Sequence, residues 1–250
     1  MFPMATRNPF EARHVESRRG GPVKPPLSRE AIVMEALRQV TSEGLKGMSL
    51  RKVAAALDTG PASLYAYVND LDELHALVLD RALAKVKVAG DKGAGWRERL
   101  LRVLGSYARV LSASPGLAQL AFGTMAVGPN ALRITEAVLA LLDEGGVDRA
   151  TGAWAVDLLL LYVTAIVAEH TSDANNLDPA APDSPVARAV AGVSEPDYPH
   201  IYAARAHLLS GTADERFAWA VDVLLRGILQ TPRSTQAEAA PATARPRKGR

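Results

Sequence analysis

The 250-residue chain has no cysteine, which excludes disulfides, thiolate nucleophiles and cysteine-ligated zinc or iron–sulfur centres together. The opening MFPMATRNPFEARH lacks the apolar run of a secretory signal. The most hydrophobic stretch, residues 154–168, contains Asp157 and is short for crossing a bilayer. These absences predict a cytoplasmic protein with no membrane partner. Catalytic signatures are missing as well. The histidines His14, His75, His170, His200 and His207 show no HExxH-type spacing, and there is neither a GxSxG elbow nor a phosphate-cradling P-loop. Glu169 and His170 are adjacent, but neighbours on a helix point apart, so no acid–base pair is expected. No metal, no cofactor and no enzymatic activity are predicted.

A hydrophobic fraction of 48% with 22% charged residues describes a soluble globular chain, long enough for one or two domains with a proper core. Charge is unevenly spread. Residues 1–27 carry a net +3 and residues 231–250 a net +4, which leaves the middle at −5. Both basic ends are rich in Pro, Gly, Ala or Thr and lack helical periodicity, so they read as a flexible arm and a disordered tail.

Between the ends every patterned segment is helical, with no strand-like alternation and no internal repeat. Ser28 is placed to cap a first helix whose stripe is Ile32, Val33, Ala36, Leu37 and Val40, closed near Glu43-Gly44. Asp70 is placed to cap a linking helix over about 71–89. Further helices are expected over residues 96–112, 115–122, 129–144, 148–172, 198–209 and 213–229, with a mostly irregular excursion over 173–197 in which 186–193 turns once or twice. The segment from Asp148 is apolar nearly all round (Trp154, Ala155, Leu158, Leu159, Leu161, Tyr162, Ala165, Ile166), so it either threads a large core or lies between subunits.

The stretch SLRKVAAALDTGPASLYAY, residues 49–67, has the form of a helix-turn-helix. Leu50, Val53, Ala54 and Leu57 repeat at three- and four-residue steps and bury one face, while Ser49, Arg51 and Lys52 stay outside, where they suit a phosphate backbone. Asp58-Thr59-Gly60-Pro61 stops the first helix and starts the second, with Pro61 in its first turn and the Thr59 hydroxyl available to cap free amides. The second helix, residues 61–67, hides Leu64 and Val68 and presents Ala62, Ser63, Tyr65, Ala66 and Tyr67.

From about Leu27 to Asp80 these residues resemble the DNA-binding domain of the tetracycline-repressor family of transcription regulators. The likeness rests on Ile32, Ala36, Leu37, Glu43-Gly44-Leu45, Met48-Ser49-Leu50-Arg51, Val53-Ala54, Leu57, the run 62–68 and Glu73-Leu74. Asn130-Ala131-Leu132-Arg133, the helix over 154–170, Tyr198-Pro199-His200 and Asp214-Glu215-Arg216-Phe217 resemble the sensor domain of tetracycline-repressor-like members. The resemblance implies an all-α fold in which a three-helix DNA-binding domain (28–71) is joined by the linking helix to a helical ligand-binding and dimerisation domain (72–230). It implies a homodimer on a near-palindromic double-stranded operator and release by a small-molecule effector.

Arg51 is the expected reader of a guanine edge, Ser63 and Ala62 face bases, and Ser49, Lys52, Gly60, Pro61, Tyr65, Tyr67 and Asn69 complete the expected DNA contacts. Candidate effector contacts are Tyr107, Phe122, Thr124, Met125, Asn130, Tyr162, Thr164 and His170, which place polar or soft atoms among apolar helices. The chain departs from the family at Asp58-Thr59, where glycine and an aliphatic residue are usual, and at Asn69-Asp70-Leu71, where a basic residue, asparagine and lysine are common. Residues 28–71 carry no net charge, so the electrostatic part of DNA affinity falls to Arg18, Arg19 and Lys24 of the preceding arm. The alternatives are a helical dimer that binds ligand or protein without specific DNA, and, more remotely, an enzyme.

Overall fold

The computed structural model describes residues 9–10, 27–89, 93–171 and 184–233, and every regular element among them is helical. The expected contacts Arg18, Arg19 and Lys24, like His14, lie outside the described residues.

Helix α1 (Arg29–Glu43) begins where Ser28 Oγ accepts the Ala31 amide at 3.1 Å and ends at Gly44, whose φ of 75° needs no Cβ. A short 3₁₀ turn, Leu45–Gly47, leads to α2 (Leu50–Ala56), α3 (Pro61–Leu64) and α4 (Leu71–Leu83). Asp70 caps α4 by accepting the Glu73 amide at 2.7 Å. The sensor half comprises α5 (Trp96–Ser112), α6 (Pro115–Gly123), α7 (Pro129–Glu144), α8 (Arg149–His170), α9 (Pro185–Ala191), α10 (Pro199–Leu208) and α11 (Ala213–Gln230).

One apolar core runs through both halves. In the first, α1 and α4 pack together through Ile32, Ala36, Val40, Leu74 and Val78, with Val53, Ala54 and Leu64 closing the side. In the second, α5, α6, α7 and α8 enclose Leu100, Leu104, Leu111, Leu120, Ile134, Leu142 and Leu159. Full burial of a side chain of this kind stabilises by roughly 1.5–3 kcal/mol.

Helix α8 spans 22 residues with a mean hydropathy of 1.8 over its most apolar window, so by length and composition it could cross a membrane. Its inner face, including Ala155, Leu159, Val163 and Val167, is instead core against α5, α6 and α7. Among the described residues its outer face is largely uncovered: Trp154, over which only the Arg233 guanidinium lies, Leu158 and Leu161 are exposed, and so are Trp219 and Val223 on α11.

Candidate nucleic-acid interface

Two short helices and the turn between them form the exposed end of the first half. Ser49 caps α2 by accepting the Lys52 amide at 3.2 Å. The exit of α2 is a Schellman motif: the Asp58 amide donates to Ala55 O at 3.0 Å and the Thr59 amide to Ala54 O at 2.9 Å. This geometry requires a left-handed residue, and Asp58 supplies it at φ 49°. The aspartate that stands where the family favours glycine thus adopts glycine's conformation, which Asp tolerates better than most residues.

The expected Thr59 cap on the next helix does not form. The Thr59 backbone amide closes α2, Gly60 is the N-cap of α3, and among the described residues no side chain caps that helix. Pro61 occupies the first helical position, where its missing N–H costs nothing. Regular helix stops at Leu64 rather than residue 67, because the Tyr67 and Val68 amides both turn back onto Leu64 O, at 2.8 and 3.0 Å.

That tightening separates the two tyrosines. Tyr65 is 54% exposed and its hydroxyl has no partner among the described residues, whereas Tyr67 is only 7% exposed. Tyr67 was expected at a phosphate and is core instead: its hydroxyl donates to Leu27 O at 2.8 Å, pinning the second helix to the chain just before α1. Its place three residues after buried Leu64 and beside buried Val68 is the pattern that would have revealed this.

Arg51, Gly60, Pro61, Ala62, Ser63, Ala66 and Asn69 are exposed on this end, and Ser49 partly so. The Arg51 guanidinium makes no hydrogen bond or ion pair among the described residues, so it is available to an external acceptor. Lys52 is not in that position: its Nζ lies 2.9 Å from Glu43 Oε2. A phosphate would have to compete with that carboxylate. At Asn69 the backbone amide donates to Glu73 Oε2 at 2.7 Å, leaving the side chain outside. Glu73, buried on α4, also accepts from Arg29 Nη2 at 3.0 Å and so ties α1, the α3–α4 turn and α4 together.

The end is joined to the sensor half by two sets of contacts. Buried Asp80 of α4 reaches the start of α7, where Oδ1 accepts the Asn130 amide at 2.9 Å and the Ala131 amide at 3.1 Å. Its Oδ2 accepts Asn130 Nδ2 at 2.8 Å. Since Gly128, the N-cap residue of α7, has no side chain to offer, Asp80 acts as the cap from another helix. In return, Arg133 of α7 donates to Leu83 O and Val86 O at 3.3 and 3.1 Å. These donors satisfy carbonyls at and just after the end of α4, where the helix stops at Leu83, short of the expected residue 89. The second contact is at α6: Ser114 Oγ donates to Val40 O at 3.1 Å, and Gly116 lies so close to α1 that a Cβ would meet Val40 O at 2.5 Å.

The eight expected effector contacts are not gathered in one place. Tyr107 and Thr164 form a buried pair, hydroxyl to hydroxyl at 2.9 Å; Thr164 donates on to Leu160 O, and burial raises the Tyr107 pKa despite the bond to Thr164. Phe122 is exposed in the last turn of α6, and Met125 is exposed beside Thr124 on the α6–α7 connection. Asn130 serves the Asp80 joint, Tyr162 stacks on Phe217 of α11 with centroids 6.5 Å apart, and His170 is exposed at the end of α8. A cavity of about 440 Å³ lies elsewhere, between α1, the end of α4, α5 and α6. None of the eight lines it.

Against this geometry, residues 89–231 match the model of the tetracyclin repressor-like C-terminal domain. The solved structure of SCO7704 from Streptomyces coelicolor is similar, with 42% identity and a TM-score of 0.70 over 86% of this chain and 100% of that one. Apo ActR from Streptomyces coelicolor gives 30% identity and a TM-score of 0.73 over 82% and 98%. The transcriptional repressor DrrR1 of Streptomyces coeruleorubidus is 37% identical over 120 residues, 48% of this chain and 44% of the repressor. The chain thus spans about half the length of the curated relatives it matches.

Proposed function

Since the chain belongs to the tetracycline-repressor family, we propose that it represses transcription by binding a near-palindromic operator as a homodimer and leaves it when a small molecule binds. Ligand-responsive DNA binding is the activity its relatives support. The DNA-binding domain is taken as residues 28–71 and the sensor and dimerisation domain as 72–230, with α4 counted in the latter as the linking helix between the two halves.

The observation that carries this reading is an exposed α2–α3 end, with Arg51 unpaired, hydrogen-bonded through α4 into the sensor half by Asp80. Arg51 reads a guanine, Ser63 and Ala62 meet base edges, and Ser49, Tyr65 and Asn69 take phosphates; Lys52 joins them by exchanging Glu43 for a phosphate. Tyr67 supports the helix from within. The uncovered apolar faces of α8 and α11 meet their copies in a second subunit, which sets two reading helices about one DNA turn apart. ActR has been solved with actinorhodin and with (S)-DNPA bound; this chain's effector is likewise proposed to be a small molecule, with the buried Tyr107–Thr164 hydroxyl pair among its contacts. A repressor of this kind acts in the cytoplasm, and its role involves no catalytic step.

A mobility-shift titration with the chain's own upstream intergenic DNA tests the proposal. A retarded, salt-sensitive band that survives competitor DNA is expected, and Arg51→Ala should weaken it roughly 10- to 100-fold, as loss of a bidentate guanine contact does. Absence of any specific fragment in a genome-wide pull-down would leave a helical dimer without operator binding.

A further inference from the structure

The cavity at the junction of the two halves has a lining unlike its surroundings. Residues 28–230 carry a net charge of −5. Yet among the described residues the cavity is bordered by Lys85, Lys87 and Arg109 and by no carboxylate, over an apolar floor of Leu37, Ala82, Val110 and Leu117. None of the three cations has an ion-pair partner among the described residues. Ser106, which also lines it, is buried; its Oγ accepts the Lys87 amide at 2.9 Å, and its hydroxyl hydrogen has no acceptor among the described residues. Thr41, the remaining hydroxyl, donates to Leu37 O and Arg38 O, both at 2.9 Å. The side chains facing the cavity therefore offer positive charge and one unused donor over an apolar wall.

We propose that this cleft binds an amphipathic organic anion, with an apolar body against Leu37, Val110 and Leu117 and a carboxylate held by Lys85, Lys87, Arg109 and Ser106. The volume of about 440 Å³ lies within the range of small-molecule sites, roughly 300–1,000 Å³. The cations and the unused Ser106 hydroxyl hydrogen favour an acceptor group, and the three unpaired cations select an anion over its neutral isostere. The site is separate from the Tyr107–Thr164 pair. Its walls come from α1 of the DNA-binding half, from the chain at and after the end of α4, and from α5 and α6 of the sensor half. An occupant would bridge both halves and favour one setting of the joint, a consequence that rests on the regulator reading above; the binding itself does not.

Calorimetric titration of the full-length protein with 2-naphthoate tests the site. Saturable binding of one molecule per chain is expected, with Kd on the order of 10–500 µM for a ligand of that size. The neutral 2-naphthamide should bind at least about tenfold more weakly, and so should 2-naphthoate to the Lys85→Gln/Arg109→Gln double variant. Both positions are exposed, and the melting temperature of each preparation checks its fold; Lys87→Gln alone, with a smaller loss, serves if the double variant is unfolded. The proposal is overturned if wild-type protein shows no saturable binding, if the amide binds as well as the acid, or if removing the cations changes nothing. An operator shift measured on the same wild-type preparation reports on the regulator reading independently.

Discussion

Replacing Asp80 with alanine removes a carboxylate that accepts three hydrogen bonds from the first turn of α7, two of them from the backbone amides of Asn130 and Ala131. Asp80 is only 7% exposed, so water cannot readily take its place. A hydrogen bond to a charged group contributes about 1.5–3 kcal/mol, and losing an N-cap costs about 0.5–2 kcal/mol. Asn130 Nδ2 is partly exposed and regains a solvent partner, so Asp80→Ala should lower unfolding stability by about 2–4 kcal/mol. Asp80→Asn keeps one oxygen for the two amides and loses mainly the charge at the positive end of α7, a change of about 1 kcal/mol. Urea denaturation followed by circular dichroism reads both. Gly128→Ala provides the internal control, because its Cβ would stand 2.2 Å from Asp80 Oδ1 and expel the carboxylate. With both changes in one chain the losses should fall well short of adding, since each disables the same joint. A loss under about 1 kcal/mol for Asp80→Ala, or strict additivity with Gly128→Ala, would refute the capping role.

Other consequences are open to measurement. Tyr67→Phe should cost about 1 kcal/mol of stability through the bond to Leu27 O while leaving operator affinity of the folded protein nearly unchanged, whereas Tyr65→Phe should do the reverse in a fluorescence anisotropy titration. His75 on α4 is half-buried, and that burial, only partly opposed by Asp72, holds its pKa below the ordinary histidine value. The unfolded chain therefore takes up the proton first: stability is full above about pH 6.5, falls as pH drops toward the lower folded value, and levels off beneath it. Thermal melts from pH 8 to 5 should show this slope, and His75→Gln should flatten it. Leu161→Glu, on the uncovered face of α8, should yield monomers by sedimentation equilibrium and abolish operator binding at protein concentrations that saturate the wild type. Deleting residues 1–24 removes Arg18, Arg19 and Lys24 and should flatten the salt dependence of operator binding; an unchanged slope would take the arm out of the account.

Local chemistry was legible in the chain. Ser28, Ser49 and Asp70 stand one residue before periodic apolar runs, and each caps the helix that follows, because a cap is satisfied within three residues. The bounds of α5 and α7 were legible for the same reason, marked by Gly and Pro beside strong periodicity. Tyr65 and Tyr67 show where local reading fails. They are alike in type and two residues apart, yet one is exposed and the other buried, since the chain tightens after Leu64 to bring Val68 into the core. Asp80 stands between buried Leu77 and Leu83, but its partners lie 50 and 51 residues onward and no spacing rule connects them.

By itself the sequence determined the kind of molecule this is: helices with their caps, a helix-turn-helix toward one end, and a segment from Asp148 that is apolar nearly all round. These depend on neighbours within a turn or two, where spacing and side-chain type suffice. Only the tertiary structure decided how the halves are coupled through Asp80 and Arg133, which tyrosine faces outward, and where an open cleft collects three cations. Those outcomes depend on which distant surfaces come within hydrogen-bonding reach, and contacts over 50 residues of chain follow from how the core packs.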